Sequence, residues 1–280
     1  MINKLPSERY YTPQQVQDKL GITESALRNL VRTEQLHRII PPGKKHGVFL
    51  REEVETFLSK WLAFVSINNI EGTEFRAATK EDIEDVQLFA RHVFGEQTHS
   101  IETRFEWYNA YPKMTYILKD KDRLVAYMEI LPIKHEVISD FMNGKIRGWQ
   151  IAAKDFEKVK PGNEVEFIVM AMATTPDEPT GIRREYSADL LRGVMKELTK
   201  LGEEGIHITR VYATSATPTG IGILMHSGFI ETGVRIGKRI AFCLNIDTTD
   251  LPFFQSYKEA YHTWKSKNEQ ARRARSTTSE

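Results

Sequence analysis

Polar and apolar positions change their period several times along this chain, and each change predicts an element. Thr12, Pro13, Gln14 and Gln15 combine a capping hydroxyl, a proline preset for the first helical position and a glutamine three residues after the cap, which predicts a short helix to Leu20. Gly21 breaks it, Ile22 turns inward, and Thr23 caps a second helix over 24–35 with Ala26, Leu27, Leu30 and Val31 at core spacing. LHRIIP and VFL read as two short strands around the tip PGKKHG, a hairpin with a basic, glycine-bounded end. From about Arg51 a third helix repeats apolar residues at Val54, Phe57, Leu58, Trp61, Leu62 and Val65. The stretch SINNIEGTE has no period and reads as a linker over 66–74.

Beyond the linker, strands and helices alternate. FRAA, MTYILK, LVAYMEILP, VEFIVMAMAT and IHITRVYAT read as strands, and a last hairpin ends in RIAFCLNI. Helices are expected from Lys80 to about Phe94, around 101–110, from about Arg184 to Leu201 and around 218–226, with short helices in the mixed stretch 133–160. From Phe253 an amphipathic helix carries Tyr257, Tyr261 and Trp264, followed by a frayed basic tail, ARRARSTTSE. This order predicts an α/β class with a mixed central sheet over 75–250, preceded by a small module over 1–65 and followed by the helix and tail of 251–280.

A chain of 280 residues suits two cores rather than one, since a domain typically takes roughly 100–200 residues. Forty per cent hydrophobic content supports ordinary globular folding. The single cysteine, Cys243, excludes an internal disulfide and an all-cysteine metal site. With no apolar run approaching about 18 residues and no apolar stretch at the N-terminus, a soluble, cytoplasmic protein that spans no membrane is expected. The net charge of +1 hides a segregation: residues 1–64 hold 10 Lys+Arg against 7 Asp+Glu, residues 265–280 hold 5 against 2, and the centre is acidic. Basic ends suit phosphate contact at the amino-terminal part rather than in the middle.

With the aliphatics of the second helix turned inward, about 100° per residue leaves Ser25, Arg28, Asn29 and Arg32 on the opposite face. Arginine forks onto guanine, asparagine pairs with adenine and serine holds a phosphate, while Lys44, Lys45 and His46 at the hairpin tip would supply charge rather than sequence choice. The alternative meaning of such a face is simple solvation. The segment YYTPQQVQDKLGITESALRNLVRTEQL with PPGKKHGVFLREEVETFL resembles the winged helix-turn-helix of the MerR and excisionase type over roughly residues 10–60. That resemblance implies binding to double-stranded DNA, commonly as a homodimer.

Residues 75–246 resemble the GNAT acyltransferase superfamily, in which a splayed central sheet holds an acyl-CoA. FRAATKEDIEDV looks like its first strand and helix, DRLVAYMEI like its next hairpin, VEFIVMAMATTPDEPTGIRREYSADLL like its fourth strand, phosphate loop and main helix, and ILMHSGFIETG like its closing segment. The resemblance implies acetyl-CoA or another acyl-CoA as donor, held by Thr174, Gly181, Arg183, Arg184 and Ser187 through helix-start N–H groups. It implies Glu166 as the base for an acceptor amine, with Glu164 behind it. The chain also departs from the pattern. Glu185 stands where a glycine is usual, Leu224 where a tyrosine acid is usual and Thr217 where an asparagine is usual, leaving Tyr212, Tyr186 or water as proton donors. His135, His207 and His226 lack ligand spacing and read as structural or surface residues.

Two functions follow. One is a DNA-binding protein whose GNAT-like domain acylates an amine on a protein or a small metabolite. The other is a transcriptional regulator whose GNAT-like domain has lost catalysis and serves as a ligand sensor or dimerisation platform. A mobile-element accessory factor is a third possibility, suggested by the excisionase likeness alone.

Overall fold

The computed structural model describes residues 9–20, 24–32, 36–42, 47–66, 71–96, 98–249 and 251–277. The amino-terminal module begins with strand β1 (Tyr10–Tyr11), helix α1 (Pro13–Leu20) and helix α2 (Glu24–Arg32), followed by strand β2 (Phe49–Leu50) and helix α3 (Arg51–Ser66). The capping expected from sequence is present: Thr12 Oγ1 accepts from the Gln15 N–H at 3.2 Å, and Gln15 Oε1 accepts from the Thr12 N–H at 2.9 Å. Val16, Leu20, Leu27, Leu30, Leu36, Phe49 and Val54 are buried, and they belong to the same apolar cluster as residues of the larger part such as Leu190 and Phe229.

Around the expected hairpin, strand pairing is reduced to a bridge between Ile39 and Val48. The two-residue β2 pairs instead with β1, Tyr10 against Leu50 and Tyr11 against Phe49. The region expected as a linker is shorter than 66–74, because α3 runs through Ser66 and the next strand begins at Thr73.

The larger part is built on a seven-stranded sheet. Its strands are β3 (Thr73–Ala77), β4 (Thr115–Asp120), β5 (Arg123–Pro132), β6 (Glu164–Thr174), β7 (His207–Ser215), β8 (Ile230–Ile236) and β9 (Arg239–Asn245). They lie in the order β3-β4-β5-β6-β7-β9-β8, antiparallel throughout except for the parallel pair β6–β7. This mixed sheet, with helices on both faces, fits the α/β class expected from the sequence.

Helices α4 (Asp82–Phe94), α5 (Ile101–Ala110) and α6 (His135–Met142) cover one face, where Ile83, Trp107, Ile138, Phe141, Leu131 and Ile168 are buried. Helices α7 (Thr180–Glu203) and α9 (Pro252–Thr277) cover the other, with α8 (Pro218–His226) following β7. Two elements differ from expectation. α7 starts at Thr180, before Arg184, because Pro179 ends the extended loop and fixes the entry to the helix. The basic tail, expected to be frayed, remains helical to Thr277, and α9 lies along α7, with Phe254 and Tyr257 buried.

Glycine makes that contact possible, since a Cβ on Gly202 would come within 2.7 Å of the Tyr257 carbonyl oxygen. Gly228 is needed twice over, by a φ of +82° and by a Leu251 methyl that would lie 2.3 Å from an added Cβ. The module is joined to the larger part by more than the chain. α2 lies against β8 and α3 against α7, and the Phe57 ring stacks on the His226 ring of α8 at 4.7 Å. No helix among the described residues is long and apolar enough to cross a membrane.

Candidate active site at the fork of the central sheet

Strand β6 has two neighbours over its first half and one over its second. It pairs with β7 from Glu164 opposite His207 to Val169 opposite Ala213, and goes on beside β5 alone as far as Thr174. A bulge accompanies the parting: Ile130 of β5 faces Val169 and Glu129 faces Ala171, so Met170 is the extra residue. An extra residue bends the strand that carries it. The result is a fork whose free arm, residues 170–174, is partly exposed from Met170 to Met172.

The arm leads through 175–179 to the start of α7. No side chain caps that start, and its first turn holds no acidic residue, so helix-end N–H groups and their partial positive charge face outward. The acids of the connecting loop have partners of their own. Asp177 meets the His92 ring at 3.1 Å, and Glu178 accepts from Arg123 at 2.5 Å. Gly181 has no heavy atom within 4 Å of the place a Cβ would take, Arg184 is exposed, and Arg183 donates from Nε to Thr174 Oγ1 at 3.4 Å.

Four residues stand differently from expectation. Arg183 and Arg184 lie inside the first turns of α7 rather than in a loop before it. Ser187 is buried, and its hydroxyl donates to the Arg183 carbonyl at 2.9 Å, so its proton is committed within the helix. Glu185, expected at a loop position where glycine is usual, is half-buried within α7, four residues beyond Gly181.

On the sheet face away from α7, Glu166 is 12% exposed and collects three partners. Arg210 Nη1 donates to Oε1 at 2.9 Å, the Tyr212 hydroxyl lies at 3.4 Å from the same oxygen, and His135 Nδ1 lies 2.7 Å from Oε2. The register explains the grouping: Arg210 is the β7 residue opposite Glu166, Tyr212 is the next on that face, and His135 opens α6 just after β5 ends. His135 was assigned to structure or surface in the sequence; it belongs to this cluster, and only the fold brings it to Glu166.

Burial, with Cys243 and Glu166 nearby, pushes the Tyr212 phenol well above its usual range, so it is held protonated. Burial raises the Cys243 thiol as well. A hollow of about 500 Å³ opens beside the cluster, walled by Glu157, Glu164, Asp247, Asn245 and Thr209. Tyr186 is elsewhere, donating to Asp120 at 2.7 Å. Tyr212 is therefore the tyrosine next to the fork.

A third group flanks the bulge. The His99 ring packs at a tilt of 57° against Trp107, centroids 4.5 Å apart, and a Cβ on Gly148 would sit 3.0 Å from both His99 and Met170. Burial pulls the His99 pKa down to about 4, leaving the ring neutral near pH 7. Among the described residues no cluster of His, Cys, Asp or Glu could hold a metal ion.

In the amino-terminal module, Arg28 and Arg32 are exposed on α2. Arg28 is 71% exposed and stands 3.5 Å from Glu24. A groove of about 600 Å³ runs between the start of α1, α2 and β2, with Arg28, Arg38, Gln14 and Gln17 on its walls. The side chains of Ser25 and Asn29, and Lys44, Lys45 and His46 entirely, lie outside the described residues.

No family model matches the chain, and no curated protein matches it. Solved structures do. The loading GNATL domain of CurA from Lyngbya majuscula is 14% identical, over 62% of this chain and 98% of that one, with a TM-score of 0.45. YncA from Salmonella typhimurium, with its cofactor acetyl-CoA, is 15% identical, over 65% of this chain and 98% of that one, with a TM-score of 0.39. Arabidopsis thaliana Naa50, in complex with the bisubstrate analogue CoA-Ac-MVNAL, is 12% identical, over 62% of this chain and 99% of that one, with a TM-score of 0.40.

Proposed function

We propose that the chain is an acyl-CoA-dependent N-acyltransferase joined to a DNA-binding module. The observation that carries the first half is the fork: a strand arm freed from one neighbour, ending at an uncapped helix start. Five residues of strand at about 3.3 Å each span roughly 17 Å, the order of an extended pantetheine arm. The free N–H groups of α7 suit a pyrophosphate, with open space at Gly181 and the guanidinium groups of Arg183 and Arg184 beside it. These residues fit the group.

When bound, acyl-CoA supplies an activated carbonyl and a thiolate leaving group. The acidic wall of Glu157, Glu164 and Asp247 draws a cationic amine into the hollow. Glu166 orients His135 through Nδ1, and the pair accepts the ammonium proton. Tyr212, held protonated beside the fork, delivers a proton to the departing sulfur. Arg210 keeps the Glu166 carboxylate in place.

Donor binding is tested by heat. Acetyl-CoA at about one hundred times its Kd should stabilise the fold by about 2.7 kcal/mol. Arg183→Ala with Arg184→Ala should weaken binding by about tenfold or more, since each charge-assisted bond contributes about 1.5–3 kcal/mol. No shift with acetyl-CoA or CoA would remove the acyltransferase reading.

The DNA half is supported by the exposed Arg28 and Arg32 of α2 and by the groove that Arg28 borders with Arg38. Arg28→Ala is expected to cost about 1–3 kcal/mol and to relax site preference. Lys44→Ala with Lys45→Ala should weaken all sequences alike and flatten the salt slope by about two. Equal behaviour of the two variants in a salt titration would contradict that division.

One observation favours the second reading, a non-catalytic regulator that senses the donor or serves as a dimerisation platform. Leu224 replaces the tyrosine that the resemblance calls for, and Glu166 is already ion-paired with Arg210. Donor binding with no transfer to any amine would establish it.

A further inference from the structure

Side chains alternate along β6, so Glu166 and Ile168 face α6 while Phe167 and Val169 face α7. On that second face, directly under the last residues shared by β6 and β7, lies an apolar cavity of about 60 Å³. Ile130, Phe167, Val169 and Val211 line it from the sheet, and Leu191 and Leu198 from α7. Among its lining residues Ser227 alone carries a polar side chain group. One water needs roughly 10–15 Å³ of such space together with polar partners, and an apolar hollow stays dry. Interiors are otherwise close-packed, so an apolar void beside the fork is space that an apolar group could fill.

Resting on the acyltransferase reading, we infer that this cavity receives the hydrocarbon tail of the donor's acyl group, so that the preferred donor is a short-chain acyl-CoA of the butyryl to hexanoyl class rather than acetyl-CoA. The carbonyl then lies between the two faces of the sheet. The amine and the proton-moving groups Glu166, His135 and Tyr212 approach from one face, and the tail descends on the other past Val169 and Val211 toward Leu198. With Ser227 the one polar lining residue, the void favours a hydrocarbon tail and disfavours a charged one.

The full chain is titrated calorimetrically with CoA and with acetyl-, butyryl-, hexanoyl- and palmitoyl-CoA. Each methylene entering the cavity should tighten binding about fourfold, so butyryl-CoA should bind about tenfold or more tighter than acetyl-CoA. Palmitoyl-CoA should gain nothing over hexanoyl-CoA. Leu198→Phe fills the far end and should bring the butyryl-to-acetyl affinity ratio toward one. Met195→Phe, at a half-buried lining position, does the same if the first variant does not fold. Equal affinity for acetyl- and butyryl-CoA in the unaltered chain overturns the tail site while leaving the acyltransferase reading standing. Failure of CoA and every thioester to bind overturns both.

Discussion

Leucine in place of Glu129 is expected to lower the melting temperature by about 10 °C, the largest stability effect of any single change outside the apolar core. Glu129 of β5 is fully buried and contacts Arg104 Nη1 of α5, itself 1% exposed. The guanidinium is held further by Gln87 Oε1 at 2.7 Å and Thr98 Oγ1 at 2.9 Å. Removing the carboxylate strands a buried cation, which costs about 3–5 kcal/mol, whereas replacing both charges with apolar groups is often neutral. Arg104→Met with Glu129→Leu should therefore recover most of the loss, as read by scanning calorimetry. A double variant no better than the single one would show that the pair stabilises beyond cancelling its own desolvation. Glu129 also sits opposite Ala171, at the bulge where the fork begins, so the pair anchors the arm from behind.

The second large effect is kinetic. Tyr212→Phe removes the hydroxyl beside the fork without changing ring volume, and loss of a general acid typically costs about 10² to 10⁴ in rate. We expect transfer to fall by about a hundredfold or more while donor affinity measured calorimetrically is retained. Glu166→Gln should give a loss of similar size, because it removes both the partner of His135 and a charge opposite Arg210. Applied together, the two changes should cost less than the product of their separate effects, since the residues act as one unit. Full turnover in Tyr212→Phe would transfer the role of acid to water.

Much of the fold was legible because its signals are local. The Thr12 and Gln15 cap, the inward Leu27 and Leu30, and the apolar runs of β5 and β6 are each written within a dozen residues. The pairings that failed to show are distant ones. β1 finds β2 across about forty intervening residues, which no local period marks. The start of α7 was placed late because Arg184 and Glu185 resemble loop residues, although proline at 179 already ended the loop. Within the site, Glu166 and Tyr212 were visible as strand residues near the expected fork. His135 was not, because its only claim is a contact with a residue 31 positions away. The Arg104 and Glu129 pair was hidden for the same reason, since a charge in an apolar strand gives no sign of the helix that neutralises it.

The ring stack of Phe57 on His226 reaches further than packing. α8 is capped by Thr217 and begins at Pro218, just after β7 ends at the mouth of the fork, and its last residue packs on α3, the helix that follows α1 and α2 in the module. The stack is thus a direct contact between the two helices. On the proposed reading, thermodynamic closure then obliges the influence to run both ways: whatever factor the thioester exerts on operator affinity, the operator must exert on thioester affinity. A genome-bound copy and a free copy would consequently sample the same acyl pool with different appetites.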